Sequence, residues 1–176
     1  MRHVTVALAL AATLAIGACG GDSPTSPSNL KETVKVGDVS FSVIRTTLGR
    51  DFMPIVEKPG PDGGRPLAGT IVVRATNDGR ATAFTLAASV YDAKGTKYPV
   101  TVVAHDYDRE TLFPGSDIIW PGSIAAGAIQ WLELRLTNGP YLAVGSRAYV
   151  VLDWSEGAAG RKGSMRTAEV DIGGSY

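Results

Sequence analysis

The densest group of titratable side chains in this sequence is the run HDYDRE at residues 105–110. Asp106, Asp108 and Glu110 are two residues apart, so in an extended segment they point the same way and could bind Ca²⁺ weakly. The run is not an EF-hand, because the position that needs glycine holds Thr111. Asp108 and Glu110 are also the residue types that glycosidases pair. A solvated loop whose arginine offsets the acids is the simpler interpretation.

Other catalytic patterns are missing from the sequence. A Ser-His-Asp triad would have to use His105, and no Gly-x-Ser-x-Gly elbow occurs. The glycine-rich segment 157–164 lacks the Gly-Lys-Ser/Thr succession of a phosphate loop and is predicted to be a flexible basic hairpin. Two histidines are too few for a His-rich metal site. We therefore expect no catalytic residues, no metal, no cofactor and no enzymatic activity.

Two of the three tryptophans differ in their predicted environment. Trp154 alternates in phase with apolar residues and is predicted to lie in the core, whereas Trp131 shares a strand face with Glu133 and Arg135. Trp131 is therefore the aromatic side chain that we predict as a ligand contact. The candidate ligand-binding residues are Trp131, Asp106, Asp108 and Glu110.

The single cysteine, Cys19, follows a short leader. Residues 4–16 form an apolar run of 13 residues, which is shorter than the roughly 20 that span a bilayer and has the length of a signal-peptide core. The segment Ile16-Gly17-Ala18-Cys19 resembles the lipobox of bacterial lipoprotein signals. The resemblance implies cleavage between Ala18 and Cys19, transfer of a diacylglyceryl group to the thiol, and usually acylation of the new amino group.

Residues 19–30 are predicted to be the lipidated cysteine and a disordered tether, since GGDSPTSPSN contains nothing to bury. Gly20 stands where an inner-membrane retention signal would have aspartate, so the resemblance favours the outer membrane in a cell with two membranes. Removal of residues 1–18 leaves 16 basic and 17 acidic residues, a net charge of −1. That balance offers no footprint for nucleic acid and no polybasic patch for anionic lipid.

Residues 31–176 alternate apolar and polar side chains in several short stretches, the pattern of half-buried strands. Turn signals separate them, and we expect Asn77-Asp78-Gly79 and Ala93-Lys94-Gly95 to supply positive φ angles. The pattern predicts one all-β domain, an antiparallel sandwich of seven to eight strands. One cysteine permits no disulfide within the chain.

Three stretches, 34–43, 69–100 and 124–136, carry strand and turn patterns that together resemble the uncharacterised immunoglobulin-like domains of bacterial lipoproteins and secreted antigens. The turn at residues 124–127 lacks the proline that is typical there, and the first long loop is unusually rich in glycine. The resemblance implies an immunoglobulin-like fold and brings no catalytic residues. It implies a binding or scaffolding role by analogy of fold alone.

Two segments, 48–67 and 105–123, do not alternate and are predicted to be long loops. Loops of this length are often functional or mobile, but we expect these to cover the core at the ends of the sandwich. Phe113, Ile118, Ile119 and Trp120 of the second loop are predicted to pack against the core, and Phe113 lies outside the residues that the structure below describes.

Three hypotheses for function follow. The first is a membrane-anchored lipoprotein whose non-catalytic sandwich binds another envelope protein or organises the envelope. The second is a lipoprotein that binds a small ligand or a metal through the loops at one end. The third is a hydrolase that uses Asp108 and Glu110.

Overall fold

The structure is a computed structural model that describes residues 27–53, 60–107 and 118–175. These residues form twelve β-strands and one 3-10 helix, and none of their helices is long and apolar enough to cross a membrane. The helix covers Pro27–Asn29, and the strands are β1 (Thr33–Val36), β2 (Val39–Asp51), β3 (Ala68–Asn77), β4 (Thr82–Asp92), β5 (Lys97–Pro99), β6 (Thr101–Asp106), β7 (Ser123–Ile124), β8 (Ile129–Thr137), β9 (Arg147–Glu156), β10 (Lys162–Arg166), β11 (Val170–Asp171) and β12 (Gly173–Ser175).

The strands form two sheets in the immunoglobulin arrangement. The first sheet has the order β1-β2-β3-β8-β6, with β12 parallel to β2, and the second has the order β10-β9-β4-β5, with β11 on β9 and β7 on β4. Seven of the described strands have five residues or more. Numbered in chain order, these seven lie 1-2-5-4 in one sheet and 7-6-3 in the other, as in a constant-type immunoglobulin domain. The predicted immunoglobulin-like sandwich is therefore confirmed, and the five additional strands are short pieces that pair with these seven.

The core lies between the two sheets, where alternate residues of each strand point inward. Its centre is aromatic: Trp154 is fully buried, and its ring stacks on Phe41 with the centroids 3.9 Å apart. Phe84 meets Phe41 edge-on at 5.1 Å, and Trp120 meets Trp154 at 6.2 Å. The prediction that Trp154 belongs to the core is confirmed.

Strand β2 departs from regular alternation at a β-bulge. The register between β2 and β3 shifts between Val43 and Arg45, so Ile44 is the extra residue and is 50% exposed. Alternation then resumes, with Leu48 buried. Strand β2 therefore continues to Asp51, and the prediction of a loop from residue 48 is wrong for its first four residues.

The second predicted loop also begins as a strand and returns to the sheet edge. Ile119 forms an isolated bridge with His105, and the Trp120 amide donates a hydrogen bond to the Ala104 carbonyl at 2.9 Å. Trp120 is buried as predicted, but Ile118 and Ile119 are each 66% exposed. The prediction is wrong for the two isoleucines because their segment is held by its backbone at the edge of β6, which leaves their side chains outside the core.

The N-terminal end of the described chain packs on the outer face of the second sheet. Leu30 contacts a small cluster that comprises Tyr91, Tyr149 and Val151. The Arg166 guanidinium lies 4.2 Å from the Tyr149 ring centroid and donates a hydrogen bond to the Ser28 carbonyl at 3.0 Å. Residues 27–30, which were expected to end the tether, therefore belong to the folded domain.

Candidate functional site

The predicted site residues fall into two groups. Those outside the described ranges are Ala18, Cys19, Asp108 and Glu110, and their roles stay predictions. Asp106 and Trp131 are described and lie on neighbouring strands, β6 and β8.

Strand pairing places Asp106 and Trp131 on opposite faces of the first sheet. Asp106 pairs with Leu132, whose side chain is fully buried in the core, so the adjacent Trp131 points outward. The Oδ1 atom of Asp106 accepts a hydrogen bond from Nε2 of Gln130 at 2.6 Å. The Asp106 carboxylate is thus engaged within the domain, and the structure does not bring it together with Trp131 in one site.

The side chain of Trp131 belongs to the outer surface of the first sheet. We define the Trp131 face as the outward positions of its four longest strands, namely Ser40, Ser42, Arg45 and Thr47 on β2, Thr70, Val72, Arg74 and Thr76 on β3, Thr101, Val103 and His105 on β6, and Ile129, Trp131, Glu133 and Arg135 on β8. Trp131 is half-buried and lies opposite Arg74.

A buried polar group lies next to Trp131 on this face. Glu133 is only 5% exposed, and its Oε1 accepts a hydrogen bond from Nε of Arg135 at 2.7 Å. His105 pairs directly opposite Glu133, and its buried Nδ1 makes no hydrogen bond within the described part of the chain. An unsatisfied buried polar atom typically costs about 1–3 kcal/mol, so this histidine marks a place where the described residues leave a hydrogen-bonding group without a partner.

Arginines predominate among the charged residues of the Trp131 face. Where β2, β3 and β8 pair, their outward positions carry Arg45, Arg74 and Arg135 against a single acid, Glu133. Arg45 and Arg74 are exposed and form no salt bridge or side-chain hydrogen bond with any described residue. Val72 lies between Arg45 and Glu133 and is only 4% exposed, so neighbouring side chains cover it.

An open groove of about 680 Å³ extends the Trp131 face at the end of the sheet. It is lined by small residues, among them Thr47, Gly49 and Thr70, and by the charged residues Arg50, Asp51, Arg65 and Arg135. Three arginines thus line the groove beside one aspartate, and Arg135 belongs to both the groove and the Trp131 face. No group of three or more metal-binding side chains occurs among the described residues.

The buried Arg50 has a structural role at the end of the sandwich. Its Nη1 and Nη2 atoms donate hydrogen bonds to both oxygens of Asp62 at 2.5 and 2.6 Å, and it also bonds two backbone carbonyls at 2.8 and 3.1 Å. The guanidinium lies 5.0 Å from the Phe52 ring and 5.1 Å from the Tyr141 ring. The hydrogen bonds from Arg50 lower the pKa of Asp62 to about 2. This arrangement fixes two loops to β2 and leaves no free charge for a ligand.

Trp131 was predicted from the sequence, but the arginines beside it were not. Arg135 was recognised only as a neighbour on the same strand, because the juxtaposition of Trp131 with Arg74 requires the β3–β8 register. The bulge at Ile44 also hid Arg45, since simple alternation from Phe41 places residue 45 in the core. Neither relation can be read from spacing along the chain.

No protein-family model matches the chain, and no curated protein matches it. Among solved structures, a DUF4426 family protein from Pseudomonas aeruginosa has 11% identity and a TM-score of 0.39, over 80% of this chain and 97% of that one. The CooA pilin subunit from enterotoxigenic Escherichia coli has 11% identity and a TM-score of 0.29, over 76% of this chain and 100% of that one. At these TM-scores the likenesses carry no argument about function.

Proposed function

We propose that this chain is a bacterial envelope lipoprotein, anchored by lipid on Cys19, whose immunoglobulin-like domain binds a partner protein without catalysing a reaction. The observation that carries the binding role is the Trp131 face, with its half-buried tryptophan and its arginines Arg45 and Arg74. Tryptophan and arginine are enriched among the residues that dominate binding energy at protein interfaces.

The anchoring part of the proposal rests on the lipobox-like segment at residues 16–19. Only residues 20–26 separate Cys19 from the first described residue, Pro27. Such a segment spans at most about 25 Å, because an extended residue covers no more than ~3.6 Å. The domain would therefore work close to the lipid surface, and Gly20 after the cysteine favours the outer membrane.

Lipid attachment is tested by growing cells that produce the full chain with an alkyne-labelled fatty acid. We expect the label on the wild-type protein and the protein in the membrane fraction. The Cys19→Ser variant should carry no label, and it should leave the membrane fraction. Equal membrane association of both proteins without label would contradict the anchor.

The binding role is tested by crosslinking in cells, followed by purification of the tagged lipoprotein and mass spectrometry. We expect one dominant envelope protein that is enriched with the wild type and depleted with Cys19→Ser, because anchoring raises the local concentration. If no protein is enriched in either sample, the interaction hypothesis is wrong and the groove would be screened with small ligands.

A further inference from the structure

We propose that the partner binds the Trp131 face through acidic side chains, whose carboxylates pair with Arg45 on β2 and Arg74 on the adjacent strand β3. The inference rests on the proposed function, because it specifies the chemistry of the partner protein at the same surface.

The Trp131 face is more positive than the chain as a whole. Where β2, β3 and β8 pair with one another, three arginines and one glutamate at the outward positions give an excess of two positive charges, and the further acid Asp51 lies beyond the last β2–β3 pair. The chain after residue 18 has a net charge of −1, so this excess is local. The register makes Arg45 and Arg74 diagonal neighbours, about 7 Å apart at their Cα atoms. A pair of acidic residues on one strand or one helical turn could contact both.

The cations at the centre of the face are arginines, which differ from lysines in how they bind carboxylates. Arginine offers a planar fork of N–H donors that fits a carboxylate in a bidentate geometry, whereas lysine acts as a point charge. On the three central strands, β2, β3 and β8, every basic residue at an outward position is an arginine. Arg50 of this chain binds Asp62 with both Nη atoms, which illustrates the geometry that Arg45 and Arg74 would offer to a partner.

The apolar residues of the face favour a protein as the source of the carboxylates. Exposed apolar side chains accompany the arginines: Ile129 is 58% exposed and Val103 is 38% exposed. A mixture of apolar side chains, tryptophan and arginine fits the composition of a protein interface. A sulfated or phosphorylated glycan would satisfy the arginines and leave these apolar groups in water.

The opposite surface of the domain is partly occupied by the chain itself. Leu30 and the Arg166–Ser28 hydrogen bond lie over the second sheet, next to a cavity of about 500 Å³. Charges on that sheet are also mixed, since Lys97 and Asp153 line the same cavity. Because arginines outnumber acids where β2, β3 and β8 pair, the Trp131 face suits an acidic partner better than the second sheet does.

The test measures binding of the full-length lipoprotein, in detergent micelles, to poly-L-glutamate by biolayer interferometry. We expect binding that weakens as ionic strength rises from 0.05 to 0.5 M, because the Debye length falls from about 14 to about 4 Å over that range. The variant Arg45→Glu/Arg74→Glu should bind at least tenfold more weakly. Both positions are exposed, and circular dichroism would establish that the variant is folded.

The matched control is Lys94→Glu/Lys97→Glu, which makes the same change in net charge at the exposed β4–β5 hairpin. This control should bind poly-L-glutamate within twofold of the wild type. Equal losses in the two variants would overturn the proposal, since the effect would then follow net charge. Binding to heparin with no binding to poly-L-glutamate would also overturn it and assign the face to an anionic glycan.

The same variants separate this inference from the proposed function in cells. Loss of the crosslinked partner in Arg45→Glu/Arg74→Glu, with retention in the hairpin control, would support both. Retention of the partner in both variants would contradict the acidic docking surface and leave the interaction role intact. Absence of any partner for the wild type would contradict the proposed function itself.

Discussion

At the scale of single residues, the aromatic centre of the core should contribute strongly to stability. Trp154 is fully buried and stacked on Phe41, so we expect Trp154→Ala to lower the free energy of unfolding by about 3–5 kcal/mol. The indole Nε1 has no hydrogen-bond partner among the described residues. Trp154→Phe, which removes that unsatisfied group and keeps most of the volume, should cost clearly less. Urea denaturation of the purified proteins measures both values, and equal losses would contradict the packing account.

A second prediction at this scale concerns the pH dependence of stability. Hydrogen bonds from Arg50 lower the pKa of Asp62 from 3.8 to about 2 in the folded state. A carboxylate with a depressed pKa stabilises the fold fully above its unfolded pKa, and this contribution is lost as the pH falls through the folded pKa. The free energy of unfolding should therefore fall between about pH 4 and pH 2 more steeply in the wild type than in Asp62→Asn. Parallel curves for the two proteins would contradict the assignment.

At the scale of elements, Asn77 connects the end of β3 to the segment that begins with β7. It is 1% exposed, and its Nδ2 donates hydrogen bonds to the carbonyls of Arg80, Ile124 and Ala125 at 2.7–3.1 Å. We expect Asn77→Ala to cost about 2 kcal/mol or more, because buried carbonyls lose their donor. The neighbouring Asp78→Ala, at an exposed position, should change stability by about 0.5 kcal/mol or less in the same thermal denaturation experiment. Similar losses in the two variants would show that Asn77 has no special connecting role.

Local sequence patterns predicted which segments form strands better than they predicted where each strand ends. Alternation of apolar residues predicted the long strands, and Gly95 has the positive φ expected of its turn, at 80°. The expectation for Gly79 is wrong: its φ is not positive, because Oδ1 of Asn77 accepts a hydrogen bond from the Gly79 amide and shapes the turn instead. The C-terminal end of β2 was predicted wrongly because the bulge at Ile44 reverses the phase of the alternation between apolar and polar residues that follows it.

The candidate site was less predictable than the fold, for a physical reason. A binding face on a sheet is made by residues that lie far apart in the chain and adjacent across strands, as Arg74 and Trp131 are. The fold class depends on periodicity within each strand, which the sequence displays directly. The face depends on pairing register, which is set by the packing of the whole sandwich.

At the scale of the whole molecule, the two sheet surfaces have different roles in this account. The second sheet receives the chain's own N-terminal segment through Leu30 and Arg166. Under the proposed function, a tether that precedes Pro27 would join the domain on that side, and the partner would bind the Trp131 face on the other sheet. An anchored domain would in this way hold its binding surface away from the point where the tether begins.

The most direct test of the proposed binding surface is site-specific photocrosslinking in living cells. A photoreactive amino acid would replace Thr70 on the Trp131 face, and in a matched strain it would replace Ala87, an exposed outward residue of the second sheet. We predict that Thr70 captures a single envelope protein in a Cys19-dependent way and that Ala87 does not. Capture of the same protein from Ala87 alone, or of none from Thr70, would contradict the claim that this lipoprotein binds its partner through the Trp131 face.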